Sequence, residues 1–296
     1  MLFQKFSFKL ADVFYLIRLL YSFMKLAIFL LFIISVNISF SQQKEIDSLE
    51  IVFSKIETDS LLLLELRKKA TFYQNRNSEL HFYIIEKALN KLKTTSNETS
   101  EALFIRELGV YYRKRGLLDS AIVNYNKAIE KFTLLKDSLG VIVVKSSLAN
   151  TLKAKGSYPE SIKILNEVIS YYEKKGGKSR KNALIAKLNL GNVYVAMSDW
   201  NKADKYFEEI YNDSIIKANK KLSTSLCINL SVTKSRLNKL DEALKYGKIA
   251  ETSETRPRSL ANLYVNIGFI YQEQKKHQKA HNYYSKSLDI YSALKK

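Results

Sequence analysis

With a single cysteine, Cys227, the chain can form no intrachain disulfide, so its stability has to come from packing. Two prolines and nine glycines among 296 residues are too few turn formers for a sandwich or barrel built from many short strands. Three histidines leave little material for a metal centre. The sequence has no glycine-rich phosphate loop, no HExxH, no paired-cysteine zinc spacing and no GxSxG. Its carboxylates are scattered rather than paired at any catalytic spacing, so the chain is expected to be no enzyme and to need neither cofactor nor metal. Acid is scarce relative to base, with 29 Asp and Glu against 48 Lys and Arg and a net charge of +19. What is abundant is Leu, Ile, Lys, Glu and Ala, which favour helix, together with nineteen tyrosines and fifteen phenylalanines, too much packing surface for a disordered chain. The length suffices for one elongated domain or two compact ones.

The N-terminus carries a different signal. In "MKLAIFLLFIISVNISFSQQK" Lys25 precedes an apolar run from Leu26, and Ser39 and Ser41 flank Phe40. A charged start, an apolar stretch and a small-x-small ending make the pattern a signal peptidase reads. Residues 1–41 are therefore read as a leader cleaved after Ser41, with secretory translation starting at Met24. The alternative is an uncleaved anchor, which Arg18 and Lys25 interrupt. Removing 1–41 takes four bases and one acid with it and leaves +16. On an exported chain that charge suits an anionic envelope surface or an acidic protein partner, and no nucleic acid is expected.

The remainder repeats itself. Leu108-Gly109, Leu148-Ala149, Leu190-Gly191, Leu230-Ser231 and Ile267-Gly268 align, and three residues later stand Tyr112, Leu152, Tyr194, Lys234 and Tyr271. Twelve residues after each small residue come Ala121, Ser161, Ala203, Ala243 and Ala280, then Tyr125, Leu165, Phe207, Gly247 and Tyr284. Such a pattern makes a helical hairpin: the small residues sit where two antiparallel helices approach, and the large ones fill the gaps beside the contact. Each hairpin leaves an apolar face that only a stacked neighbour can bury. Gly116, Gly156 and Ser198 end first helices, Pro159 falls in the first turn of a second helix, and Asp119, Glu160, Asp241 and Glu242 put negative charge at second-helix N-termini.

This pattern resembles the tetratricopeptide repeat, which implies an all-α, right-handed superhelical solenoid of helix-turn-helix repeats. Units fall at 102–135, 142–175, 184–217, 224–253 and 261–294, with a degenerate one at 60–100 containing Ala70, Tyr73 and Ala88. A short N-terminal helix occupies 42–59, and Asp59 or Ser60 is expected to cap the next. Lys234 and Gly247 depart from the aromatic positions, so the fourth unit is expected to be the weakest. The entry into the array, with "Asp-Ser-Leu" and then "Thr-Asp-Ser-Leu" after the leader, resembles exported repeat arrays of Bacteroidetes-type bacteria. Such arrays often precede a kinase or helix-turn-helix module, which gives a second reading: the sensory part of a split or truncated regulator.

Individual candidates for chemistry follow the repeat register. Glu273, His277 and His281 have helical metal spacing, but His277 aligns with Leu118, Tyr158, Trp200 and Leu240, so the helix should break there and His277 should pack in the turn. Trp200 is read as turn packing on the same grounds. Cys227, in "SLCINLS", is read as a small buried hydrophobe. The resemblance implies a concave face lined by first helices and used to bind a protein or peptide. The residues expected to project there are Arg106, Val110, Arg113, Asn150, Lys153, Asn192, Val195, Arg236, Phe269 and Gln272. Arginines grip carboxylates and amides hold a peptide backbone. The lysine of the chaperone-tail clamp is missing, since Ser146 precedes Asn150, so chaperone-tail binding is not expected.

Overall fold

The computed structural model describes residues 42–294, so the expected leader and its cleavage point lie outside the described residues. Among the described residues there is no strand, and two compact units are distinguished, one ending at Ser96 and the other starting at Asn97.

The first unit contains α1 (42–54), α2 (Asp59–Tyr73) and α3 (Ser78–Leu92). Helix α2 is capped by Thr58, whose side chain accepts from the Leu61 N–H, rather than by Asp59 or Ser60. Asp59 instead holds Lys91 at 2.7 Å and accepts from Thr95 at 2.8 Å, tying the two ends of the hairpin together. Ala70, Tyr73 and Ala88 are buried between α2 and α3. Polar contacts dock α1 onto that pair: Tyr73 donates to Glu45 at 3.0 Å, and Glu50 takes both the Tyr83 hydroxyl and Lys87, the latter at 2.8 Å.

The second unit is a run of five hairpins. These are α4 (Glu98–Lys114) with α5 (Leu118–Leu134), α6 (Ser138–Lys155) with α7 (Tyr158–Lys175), and α8 (Arg180–Ala196) with α9 (Trp200–Tyr211). A short α10 (Ser214–Ala218) then leads into α11 (Lys220–Arg236) with α12 (Leu240–Glu251), and α13 (Pro257–Glu273) pairs with α14 (His277–Ala293). First helices of neighbouring hairpins touch one another (α4 with α6, α6 with α8, α8 with α11, α11 with α13) and so form one inner layer. The second helices pack between successive first helices, and the buried apolar residues form two clusters, one running from α4 to α8 and the other from α8 to α14.

Each hairpin turns the same way. Seven residues after each small residue stand Gly116, Gly156, Ser198, Asn238 and Lys275, and all five have positive φ, from 59° to 89°. Only the first two are glycines, so the later turns accept left-handed strain of about 1–2 kcal/mol each, less for Asn238. Within the hairpins the volumes of facing positions are reciprocal. A Cβ on Gly109 or Gly268 would lie 2.7 Å from the ring of Tyr125 or Tyr284, and one on Gly191 would overlap the Phe207 ring. Where the first helix carries the larger Ala149, the partner is Leu165 rather than an aromatic. Where it carries Ser231 the partner is Gly247, and a Cβ there would stand 2.9 Å from the Ser231 hydroxyl. Gly247 is thus the other half of a volume exchange, and the reading of it as a departure is corrected.

Lys234 is corrected in the same way. It is only 4% exposed, and its ammonium lies 3.1 Å from Asp204, 2.9 Å from Glu208 and 2.9 Å from Glu242. Tyr246 adds a hydrogen bond to Glu208 at 3.1 Å. A charge network fills the space that an aromatic ring occupies elsewhere, and it links the third hairpin to the fourth.

Candidate functional site

The inner layer carries two concentrations of recognition chemistry. The first lies on α4 and α6. Arg113 and Lys153 hold the same place in successive repeats, four residues after Gly109 and Ala149, so stacking sets them side by side. Burial, and after it the positive charge of Arg113, holds Lys153 below the ordinary lysine range. Arg106 sits two turns before Arg113 on α4. Its guanidinium reaches Glu107 at 3.2 Å, while its buried Nε has no hydrogen-bond partner. Beneath these cations lies Tyr125, fully buried, with its ring on Gly109. Burial pushes the Tyr125 phenol up, and Arg113, Arg106 and Thr151 oppose that push from nearby. None of them completes a hydrogen bond to its hydroxyl.

The second concentration lies on α8, α11 and α13. Asn229 donates to Asn192 at 2.7 Å, joining two first helices through their amides. Asn266 donates to Ser231 at 2.8 Å and does the same one repeat further on. Exposed Arg236 stands between Trp200 and Phe269, its guanidinium carbon 5.9 Å and 5.6 Å from the two ring centres. Cation–π contacts of this kind hold the guanidinium plane while leaving its N–H edge free for a partner.

Two family models, both described as tetratricopeptide repeat, match residues 140–214 and 261–293. These are tetratricopeptide repeats. Solved structures agree on the fold of the tetratricopeptide array. The apo form of the quorum sensor NprR from B. thuringiensis superposes with a TM-score of 0.68 at 12% identity, covering 84% of this chain and 71% of that one. The apo form of RapI gives 0.62 at 16% identity over 84% and 72%. BtubC from P. vanneervenii gives 0.57 at 16% identity over 78% and 92%. No curated protein matches the sequence.

Within this tetratricopeptide array the expected groove residues divide. Arg106 and Arg113 lie near Tyr125 with Lys153 in the field of Arg113, while Asn192, Arg236 and Phe269 belong to the second cluster. Val110 is corrected: it is 5% exposed and packs in the apolar core, not on the inner surface. Val195 is half-buried against the core. Asn150 turns its amide onto the Ser146 carbonyl at 3.1 Å, and Gln272 accepts from Tyr284 at 2.9 Å, so both are engaged within their own hairpins. His277 begins α14 but is exposed rather than packed in the turn, because its place in the register is the first residue of a helix with water on its outer side. Among the described residues no three His, Cys, Asp or Glu side chains are placed to hold a metal ion. No described helix is long and apolar enough to cross a membrane. Burial pushes the Cys227 thiol up to about 11, the opposite of what a nucleophile requires. Sequence reasoning assigned Tyr125 and Trp200 to packing alone. The signal for Trp200 was available, since Arg236 and Phe269 fall at inner positions of the next two repeats.

Proposed function

We propose that the chain is a non-catalytic scaffold that binds a protein or peptide partner along its inner layer of first helices and acts outside the cytoplasm. The observation that carries the binding reading is the placement of partly exposed Arg113, Lys153, Arg236 and Phe269 along that layer on four of the five hairpins of the second unit. Many cations elsewhere on the array are already paired: Lys131 with Glu98 and Glu101, Lys145 with Glu167, and Lys187 with Glu173 and Glu209. The export reading rests on Lys25, the apolar run and Ser39-Phe40-Ser41. It requires native protein to begin at Gln42, and intact 1–41 on mature soluble protein would remove it.

The binding reading is tested with a partner captured by the chain from envelope extracts. Replacing Arg106, Arg113 and Lys153 together by alanine should weaken that association without loss of helicity. Replacing Lys174, Lys175 and Lys178 removes the same charge from another surface and should not. If the second triple loses binding and the first keeps it, the association is general electrostatics with an anionic envelope surface, and it should then fade steeply with salt. The likeness in fold to the quorum sensor NprR supports a second reading: the sensory part of a split or truncated regulator. A kinase or helix-turn-helix reading frame immediately downstream would favour it.

A further inference from the structure

We propose that the outward stripe of α2, formed by Leu61, Leu64, Lys68 and Phe72, is a self-association surface on which the α2 helices of two copies of this chain pair antiparallel across a two-fold axis. This surface is separate from the one the peptide-binding reading uses and stands without it. Helix α2 already buries Leu63, Leu66, Ala70 and Tyr73 on one side, so the stripe makes it apolar on two opposite faces. A helix of that kind belongs between two layers. Yet Leu61 is 56% exposed, Leu64 47% and Phe72 49%.

The repeat register identifies the stripe as a stacking face. Two residues after the small residue of the first helix stand Phe72 in α2, Thr151 in α6, Val193 in α8, Thr233 in α11 and Ile270 in α13, and the last four are all buried. Two residues before it stand Lys68, Ser147, Asn189, Asn229 and Asn266. Of these, Asn229 and Asn266 reach back to Asn192 and Ser231 on the preceding first helix. This face therefore packs on the hairpin before it. Helix α1 gives α2 only half of such a hairpin. Phe53 lies five residues before the N-cap Thr58, as Phe132 lies five before the N-cap Asp137, and both are buried. So α1 holds the place of a second helix, and among the described residues no first helix stands beside it.

The charges on the stripe select what fills that seat. Glu65 and Lys68, joined within α2 at 3.3 Å, lie at its middle. An antiparallel pair sets Glu65 of each copy opposite Lys68 of the other and Leu61 opposite Phe72, every contact occurring twice. A parallel pair would set Lys68 against Lys68, and like charges facing each other oppose association. Glu65 is equally out of place against an anionic lipid surface.

The test is sedimentation velocity of the native protein over a concentration series, which should show a monomer–dimer equilibrium and no larger species. Leu64→Asp should abolish the dimer, and because Leu64 faces water the variant should keep its helicity. Glu65→Lys and Lys68→Glu should each raise the dimer dissociation constant roughly tenfold, since two attractive pairs become repulsive. The double variant Glu65→Lys with Lys68→Glu should restore it. A double variant as weak as either single one, or single variants with no effect, refutes the antiparallel pairing. Protein that stays monomeric, grows into longer assemblies or dimerises as well after Leu64→Asp overturns the proposal. A monomer that instead binds phosphatidylglycerol vesicles, and loses them on Leu64→Asp, makes the stripe a lipid-facing surface and also overturns it.

Discussion

Lys234→Met tests whether a charge network replaces an aromatic ring in the fourth hairpin. Methionine keeps the length and most of the volume of the lysine stem, so the change isolates the ammonium. That ammonium serves three carboxylates, and its side chain is 5% exposed. Breaking a buried pair by removing one partner costs about 3–5 kcal/mol. The lower end applies here, because Glu208 and Glu242 can turn toward water while Asp204 keeps Lys239 at 3.6 Å. A loss of about 3 kcal/mol corresponds to roughly 6–12 °C in Tm for a unit of this size. The pH dependence sharpens the test. In the parent, burial works against the charged lysine, but Glu208, Glu242 and Asp204 more than offset it and raise its pKa above the ordinary 10.5. Its contribution is therefore complete below 10.5 and is lost as pH rises beyond that value. In the variant the uncompensated carboxylates repel, so its deficit should shrink as acid protonates them. Denaturant unfolding followed by far-UV circular dichroism at neutral and mildly acidic pH measures both effects. A variant as stable as the parent, or a deficit that grows in acid, would refute the network's role.

Three further outcomes follow from single contacts. Gly191→Leu drives a side chain into the Phe207 ring, where a Cβ alone would already lie 2.7 Å from Cδ1, and should cost about 1–3 kcal/mol with melting that spreads to adjacent hairpins. Unchanged thermal unfolding would disprove the hairpin register. Glu254, with its side chain 3% exposed, is held at about 2 chiefly by its hydrogen bond from Arg256, against the effect of burial. Its lowered pKa contributes stability above 4.5 that disappears as pH falls toward 2, so Glu254→Gln should cost about 2 kcal/mol near neutrality and almost nothing at that acid limit. Parallel pH–stability curves for the two proteins would contradict this. Lys275→Gly relieves a left-handed turn at φ 59° and should gain about 0.5–1 kcal/mol, which chemical denaturation can resolve.

The hairpins were legible because close helix crossings impose local rules. A small residue such as Gly109 or Gly191 must recur where backbones approach, and its aromatic partner must follow at a fixed interval. The rule was read too narrowly at the fourth repeat. Ser231 and Gly247 satisfy the same volume constraint with the sizes exchanged, and aligning both columns together rather than each with a consensus would have revealed it. Lys234 was less accessible. Its partners Asp204 and Glu208 lie on the preceding hairpin, about one repeat earlier, so only the stacking of neighbours brings them together. Val110 shows the converse difficulty. An apolar residue next to the crossing glycine can face the core or the inner surface, and a small rotation of α4 decides which.

The aromatic place opposite the first-helix glycine is filled by Tyr125, Phe207 and Tyr284, and the contrast among them separates packing from recognition. Phe207 shows that the crossing needs only a ring. Tyr284 has a hydroxyl as well, and it donates to Gln272 at 2.9 Å on the exposed side. Tyr125 is completely buried, with a hydroxyl that no neighbour accepts. A buried group left unsatisfied costs about 1–3 kcal/mol, an appreciable part of the stability of any domain. Nothing in the hairpin geometry requires that cost, because phenylalanine performs the same packing two repeats later. The repeat dictates the ring, and the hydroxyl is left over from it.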